Sequence, residues 1–487
     1  MKARDVALAV LADARAGRRT ARRSLDELIE RYRIAPADVG LAGEIVWGVM
    51  RHRLTLEAVL RPATEDRWDR VGSTLQHILL VAAYQLMWLD AVPAFAAINE
   101  AVEQAKREGG RRAAGFVNAV LRFVQRHMLA REDGEPAGDR RCCVPTAPGC
   151  YCRFDMPVLP DPAATPVAYL AAATSHPEIL VRRWVRAFGR ERTETICVAG
   201  TRRPPLTLRP NVLRTDAAAL AERLRAEGCD VEIADIANSP ARAPERKDAA
   251  VQPSRVSSRE HEAVVLLGAS PPSGALSGLA AFRDGLFQPQ DITAMRPVRA
   301  AGVRMGDVVL DLCAGYGTKA TQAAEQMADR GLVIASDSDP GKLGALADNC
   351  RRLGITCVRT VAPDELAAVL AAQGRLDVIL VDVPCTNTGV LARRPEARYR
   401  FTPAALRALA ATQARLLYRA AELARPETRL CYSTCSLEKE ENEDIVEDFC
   451  KRHRGWRVLR SQLTLPQCGA GTADWCDGGF FAVLVRE

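Results

Sequence analysis

Three segments in the last third of the chain carry residue types whose spacing suits chemistry. The first, residues 311–319, reads DLCAGYGTK and follows an apolar run at 308–312. Gly315 and Gly317 permit a tight turn, so a ligand can approach the backbone and the N-terminus of the next helix. Asp337 stands 22 positions after Gly315, at the end of the next apolar run. An acid there can accept both hydroxyls of a ribose, which points to an adenosine-containing cofactor. The competing reading is a packing turn with a solvated Asp337. A phosphate loop of the form G-x-x-x-x-G-K-[ST] is absent from the sequence.

The second segment, residues 381–389, reads VDVPCTNTG, and the third, residues 432–435, reads YSTC. Each closes an apolar run. They bring Cys385, Cys435 and Asp382 to strand ends beside the glycine loop. A thiolate is a strong nucleophile near neutral pH, so two thiols and a carboxylate suggest nucleophilic chemistry. The plain alternative is a pair of small buried hydrophobes. Placement of both at strand ends favours the chemical reading. A fourth segment, RRPEARYR at 393–400, offers arginines and a tyrosine that suit a nucleic-acid phosphate and base. A solvated loop fits it equally well.

The elements that must position these residues follow from periodicity. Apolar runs at 308–312, 332–335, 356–361, 378–381 and 429–432 alternate with helical patterns at 340–352, 403–423 and 439–452, and 479–485 closes the chain. Strands alternating with helices predict a parallel, doubly wound sheet, with ligands at the carboxyl ends of its strands. Strands four and five of that order are neighbours, so Cys385 and Cys435 should share one cleft.

The remainder is organised differently. Residues 1–128 read as helices at 5–14, 25–32, 38–51, 54–60, 97–106 and 115–127, around a helix near 75–87 that is apolar almost all round. Residues 129–165 are dominated by Pro, Gly and charge and read as a linker. Residues 166–275 read as a small α+β domain, with a strand at 206–211, a helix at 217–227 and a flexible insertion at 234–262. Residues 276–487 are expected to form the domain that carries the chemistry.

Composition bounds the function. With 487 residues, 48% hydrophobic and 26% charged, the chain is globular and of about three domains. The net charge of +7 is mild, and only seven of the 67 basic residues are Lys. Arginine richness is therefore discounted as a signal, except that Arg18, Arg19, Arg22 and Arg23 stand out as candidate phosphate contacts. No apolar run reaches the length of a spanning helix, and the N-terminus lacks a signal-peptide core. A cytoplasmic location, without membrane or DNA partners, is expected. The 15 cysteines then read as reduced thiols. Cys142, Cys143, Cys150 and Cys152 cluster, but not at the common zinc spacings, so no metal is expected.

Together these segments resemble the RsmB/Sun (Fmu) family of 16S rRNA (cytosine-C5)-methyltransferases. The paired signatures are DVPCTNTGVLARRPEARYR and YSTCSLEKEENEDIV, followed by GGFFAVLVRE. AINEAVEQAKREGG with GFVNAVLRFV is similar to a NusB-like helical domain, and SHPEILVRRWVRAFG with LTLRPN to the segment joining the two. The resemblance implies an α/β fold: a Rossmann-like S-adenosylmethionine-dependent methyltransferase domain, preceded by an all-α NusB-like domain and a small α+β domain. It implies S-adenosyl-L-methionine as donor, 16S rRNA as substrate and a monomer. The implied donor site is Cys313, Ala314, Gly315, Tyr316, Gly317, Thr318, Lys319, Asp337, Asp364 and Asp382, with Asp364 matched by a one-residue shift. Cys435 is the implied nucleophile, Cys385 assists product release, and Asp382 also faces the cytosine. The family loop AAPGGKT is AGYGTKA here, with Tyr316, Thr318 and Ala320 in place of Pro, Gly and Thr. Three alternatives stand beside this reading: an RNA-binding protein with a weakened catalytic domain, a nucleotide-dependent oxidoreductase, and a methyltransferase acting on tRNA or another rRNA site.

Overall fold

The structure is a computed structural model. It describes residues 1–17, 20–136, 138–235, 246–247, 262–267, 275–469 and 474–487. The chain divides into two compact units, Met1–Arg202 and Arg203–Glu487.

The first unit opens with α1 (Ala3–Arg15), α2 (Ala21–Tyr32), α3 (Pro36–Ala63), α4 (Ser73–Trp88) and α5 (Ala94–His127). Pro36 sits in the first turn of α3, where its missing N–H costs nothing. The pairs of helices read at 38–51 with 54–60 and at 97–106 with 115–127 are each one longer helix, α3 and α5. Non-helical backbone at His52 bends the first, and at Gly109 and Gly110 the second. Every residue of α4 from Gln76 to Met87 is buried, as its all-round apolar pattern requires. Of the four arginines proposed for phosphate, Arg18 and Arg19 lie outside the described residues. Arg22 and Arg23 make exposed pairs with Asp26 and Glu27 one turn along α2.

Residues 129–165 are not a structureless linker. They hold a three-stranded antiparallel sheet of β1 (Met128–Asp133), β2 (Cys143–Ala147) and β3 (Cys150–Phe154), in the order β1-β3-β2. Pro148-Gly149, read as a linker signal, is the hairpin turn, with Gly149 at φ 66°. Val144, Cys152 and Phe154 join the helical core. Three of the four clustered thiols point to separate partners: Cys143 to the Asp139 carbonyl, Cys150 to Asp133, Cys152 to the Met87 carbonyl. Among the described residues no group of three metal-ligating side chains converges. Three helices complete the unit: α6 (Pro166–Ala173), α7 (Glu178–Phe188) and α8 (Arg190–Thr201). Thr55 donates to the Ala172 carbonyl at 2.6 Å and Ser175 accepts from the Leu54 amide at 2.9 Å, which ties α6 to α3. The boundary between units thus falls inside the stretch read as one domain, 166–275.

The second unit begins with β4 (Leu206–Pro210), α9 (Ala217–Ala226), β5 (Val231–Asp235), β6 (Arg246–Lys247), β7 (Glu262–Leu266), α10 (Ala280–Arg283) and β8 (Phe287–Pro289). Strands β5, β7, β4 and β8 form an antiparallel sheet in that order. The flexible insertion read at 234–262 lies largely outside the described residues.

The catalytic sheet follows. Its elements are α11 (Ile292–Ala301), β9 (Val308–Asp311), α12 (Thr318–Gln326), β10 (Leu332–Ala335), α13 (Pro340–Leu353), β11 (Val358–Thr360), α14 (Leu366–Ala371), β12 (Val378–Asp382), α15 (Ala397–Arg400), α16 (Pro403–Leu423), β13 (Arg429–Thr434), α17 (Glu443–Arg452), β14 (Trp456–Thr464) and β15 (Gly479–Arg486). The order is β11-β10-β9-β12-β13-β15-β14-β6. The first five strands are parallel, and β12 and β13 are neighbours as expected. The sheet is nonetheless mixed. The closing strand β15 runs antiparallel to β13 and pairs on its other side with β14, which the polar alternation of residues 456–464 concealed. Successive residues of the central strands face opposite layers. Leu310, Ile379, Leu430 and Ala482 pack on one side, and Val309, Val378, Cys431 and Val483 on the other. Local chemistry sets the helix starts: Asp339 accepts from the Gly341 amide ahead of α13, and Thr402 from the Ala405 amide ahead of α16.

A buried arginine joins the two sheets. Arg209 of β4 bonds both oxygens of Glu325 on α12 at 2.8 Å, and it also donates to the Thr318 carbonyl and to Thr321. Its side chain is 6% exposed and that of Glu325 is 3%. Removing one partner of such a pair strands the other charge. Arg209→Leu should therefore destabilise this unit by about 3–5 kcal/mol in a denaturant titration. Arg22→Ala, which removes an exposed pair on α2, should leave the transition unchanged.

Candidate active site

The site lies at the carboxyl ends of β9, β10, β12 and β13. Parallel pairing sets Asp382 opposite Ser433. Ser433 donates to Asp382 Oδ1 at 2.7 Å, while Lys319 Nζ lies 2.7 Å from Asp382 Oδ2. Burial alone would pull the Lys319 ammonium down. The Asp382 charge and hydrogen bond, then Asp311 and Cys435, outweigh it and raise it. Three residues beyond Asp382 and two beyond Ser433 the two thiols meet: Cys385 Sγ is 3.2 Å from Cys435 Sγ. Cys435 also donates to Asn387 Oδ1 at 3.3 Å. Cys385 is buried and Cys435 is half-buried. The hydrogen bond with Cys435, then burial and the nearby Glu441 carboxylate, push the Cys385 thiol well above its usual range.

Glycine allows the thiol loops to approach. The Gly389 amide donates to the Cys435 carbonyl at 2.9 Å, and the Gly478 amide donates to the Gly389 carbonyl at 2.7 Å. A Cβ on Gly389 would fall 2.6 Å from the Gly478 backbone and 2.9 Å from the Cys435 oxygen. Three chain segments therefore stack backbone to backbone around the thiols.

The glycine loop joins β9 to α12. Gly315 has φ 55° and Gly317 φ 80°, the left-handed region that favours glycine. A Cβ on Gly317 would lie 2.4 Å from Leu346 of α13, whereas one on Gly315 would meet only open space. Asp337 accepts from the Gly315 amide at 2.9 Å and so closes the loop onto the end of β10. Tyr316, in place of the family proline, is 65% exposed at the tip. Ala314 is anchored by its amide to the Ser336 carbonyl, and Thr318 opens α12. Cys313 is pushed up to about 12 by burial and by Asp311, so it is an inert thiol beside the loop. Asp364 is exposed in the turn between β11 and α14, at the end of the neighbouring strand.

The sequence reading gave several residues at the site no role of their own. Asp311 ends β9 fully buried, and among the described residues its carboxylate oxygens make no hydrogen bond of good geometry, with the Cys313 backbone the nearest donor. Burial, then the Asp382 charge, carries it up to about 7. Glu441, Asn387, Gln413 and Ser433 also surround the thiols. Position in DLCAG and in the EEN after YSTC was the available signal; their partners come from distant segments.

The arginine-rich loop is largely structural. Arg393 is bonded to Asp477 at 2.5 Å, Asp291 at 3.0 Å and the Pro205 carbonyl at 3.0 Å. Arg398 is fully buried. Arg394 and Arg400 remain exposed, the first bonded to Asn387.

This sheet order, a glycine loop under an acid, and neighbouring strand ends define a Rossmann-like methyltransferase domain. Models of known families match along the chain: NusB over residues 1–126, the RsmF/B-like ferredoxin-like domain over 176–240, and 16S rRNA methyltransferase RsmB/F over 301–473. A probable ribosomal RNA small subunit methyltransferase B of Bacillus subtilis is 31% identical over 451 residues, covering 92% of this chain and 88% of that protein. One of Synechocystis is 28% identical, covering 100% and 97%. The chain belongs to the RsmB/F family of 16S rRNA methyltransferases. Among solved structures, the protein PH0851 shares the fold with a TM-score of 0.69 at 18% identity, covering 100% of this chain and 99% of that one. NSun6 from Pyrococcus horikoshii with SFG has a TM-score of 0.51 at 22% identity, covering 64% and 98%. No helix among the described residues is long and apolar enough to cross a membrane.

Misplacing reacting groups by about 1 Å can cost on the order of 100-fold in rate. Gly389→Ala should lower rRNA methyl transfer by about that factor while circular dichroism stays that of the native fold. A native rate would mean that the backbone stack does not position the thiols.

Proposed function

We propose that this protein methylates C5 of a cytosine in 16S rRNA, with S-adenosylmethionine as donor and Cys435 as a covalent nucleophile. The observation that carries this reading is the meeting of Cys385 and Cys435 beside the Lys319–Asp382 pair and the glycine loop. Membership of an rRNA methyltransferase family supports the substrate class. The NusB-like helices and the ferredoxin-like sheet are taken to hold the RNA.

C5 of cytosine is a poor nucleophile. Addition of the Cys435 thiolate at C6 turns C5 into an enamine-like carbon able to accept a methyl group. The negative charge that addition puts on the ring is neutralised by a proton at N3, and Asp382, held by Ser433 and Lys319, accepts a hydrogen bond from that N3–H and stabilises the adduct. Loss of the C5 proton to a base then re-forms the ring double bond and breaks the C6–S bond. Cys385, adjacent to the departing sulfur, assists that release. The target base reaches the thiols only if it is single-stranded or flipped out.

The residues present fit the donor. Asp311 offers a buried carboxylate suited to an ammonium group. Asp337 suits the ribose hydroxyls, the 313–319 loop approaches by its backbone, and Asp364 completes the set. When bound, S-adenosylmethionine supplies an electrophilic methyl group on a sulfonium sulfur.

Donor binding tests this assignment. Asp337→Ala should weaken it by roughly 1–3 kcal/mol in calorimetry. Asp311, carried up to about 7, loses its proton as pH rises from 6 to 8 and gains the charge that meets the ammonium. Affinity should therefore rise over that range, and Asp311→Asn should flatten the profile. Ionising Asp311 without donor costs stability as pH rises, because its folded value lies above its unfolded one. The stabilisation that donor confers should accordingly be larger at pH 8 than at pH 6. A pH-independent affinity in the native protein would remove Asp311 from the site.

The thiols are separated by trapping. Cys435→Ala should give neither methylated RNA nor a covalent adduct. Cys385→Ala should form a donor-dependent RNA–protein band on a denaturing gel and release it slowly. If the two variants behave the other way round, the roles are exchanged. If both variants remain active and trap nothing, the covalent mechanism is wrong.

A further inference from the structure

Glu441 takes no part in the steps above, yet it is fully buried one residue away from Cys385 through its bonds to Thr386. Its Oε1 accepts from the Thr386 amide at 2.9 Å and from Gln413 Nε2 at 2.8 Å. Its Oε2 accepts from the Thr386 hydroxyl at 2.5 Å. The two N–H partners can only donate, and the Thr386 hydroxyl meets the other oxygen, an arrangement that suits a carboxylate. Gln413 also donates to the Pro384 carbonyl at 2.9 Å, so one carboxylate grips the chain on both sides of Cys385. With the Thr386 hydroxyl committed to Glu441, Ser436 must donate to Thr386 at 3.1 Å, and Thr388 to Ser436 at 3.2 Å. This run of hydroxyls passes through Ser436, the residue that follows Cys435, and ends at Thr388.

The charges around the thiol pair are therefore unequal. The titratable groups that act on Cys385, or on which it acts, are Cys435, Tyr432 and Glu441, from β13 and the turn after it. From its own loop Arg394 reaches Asn387, and from α16 comes the neutral Gln413. The cation Lys319 interacts instead with Cys435. A buried acid thus grips the residue after Cys385, whereas the cation nearest Cys435 is already paired with Asp382, so the asymmetry of the 3.2 Å contact comes from Glu441.

We propose that Glu441 is a positioning residue that divides the labour of the two thiols: its anion holds the shared proton on Cys385 and leaves Cys435 to act as the nucleophile. The inference rests on the reading of Cys435 as nucleophile and deepens it. Without such asymmetry either sulfur could attack C6. With it, the thiol best placed to assist release keeps its proton while the other adds to the base.

The test needs no RNA. The full-length protein is treated with iodoacetamide to low extent across a pH series, and alkylation of Cys385 and Cys435 is read by peptide mass spectrometry. Midpoints rather than rates are compared, so that unequal exposure does not decide the result. The Cys385 midpoint should lie above that of Cys435. Glu441→Gln should lower the Cys385 midpoint by about one pH unit, roughly tenfold more thiolate at a pH below the midpoint. Glu441→Asp, which keeps the charge, should keep the native order. A reversed order in the native protein overturns the proposal even if the glutamine variant fails to fold. A folded Glu441→Gln with an unchanged Cys385 midpoint also overturns it. Methyl transfer by Cys435→Ala is measured alongside. If that variant still methylates, the covalent mechanism falls while the alkylation order stands. If it is inactive and the order is reversed, the role of Glu441 alone falls.

Discussion

The parallel register of β12 against β13 is the constraint on which the site depends. It sets Asp382 opposite Ser433 and sends two loops off neighbouring strand ends in the same direction. Side-chain period in a strand is two, so a slip of one residue would turn Asp382 away from Ser433. The register is held because both faces of these strands are buried: Ile379 and Leu430 belong to one core layer, Leu380 and Cys431 to the other. A parallel pair covered on both sides has no solvent face onto which a slipped strand could turn.

Beyond the strand ends the chain is irregular, and polar groups take over from apolar packing. Buried amides and hydroxyls need partners, and each loop finds them in another. The loop after β12 bonds to Glu441 and Ser436. The loop after β13 bonds to Gly389 and Thr388. Arg393 fastens the same region to Asp291 and Asp477. Burying such charges is not in itself stabilising, because desolvation offsets much of the attraction. Their effect is geometric: each ion pair or hydroxyl accepts few arrangements, and the thiols inherit that restriction. Arg209 acts similarly on the donor side, where its bond to the Thr318 carbonyl ties the start of α12 to the antiparallel sheet.

Two departures from the sequence reading have related causes. The 129–165 stretch is rich in turn-formers, which suggested a linker, but turn residues also close hairpins. Alternation at Val144, Cys152 and Phe154 was short enough to be hidden among Pro, Gly and charge. The 393–400 arginines suggested a phosphate-binding loop. Arg393 instead neutralises two buried carboxylates, one of them 84 residues away. An arginine in an extended loop has the same local sequence whether it faces solvent or an acid from a distant segment.

What the sequence by itself determined is whatever depends on near neighbours. The helix starts at Pro340 and Pro403, the strands at 332–335 and 378–381, the tight loop at Gly315 and Gly317, and the position of both thiols at strand ends follow from periodicity, Pro and glycine. The family pattern added the domain order. Only the tertiary structure decided what depends on segments far apart: the insertion of β15 between β13 and β14, the 3.2 Å approach of the thiols, and the carboxylate of Glu441 beneath the Thr386 amide. The physical reason is range. Local propensity acts over a few residues, whereas a buried donor accepts any acceptor that folding brings to it, here across 50 residues for the sulfurs and 55 for Glu441.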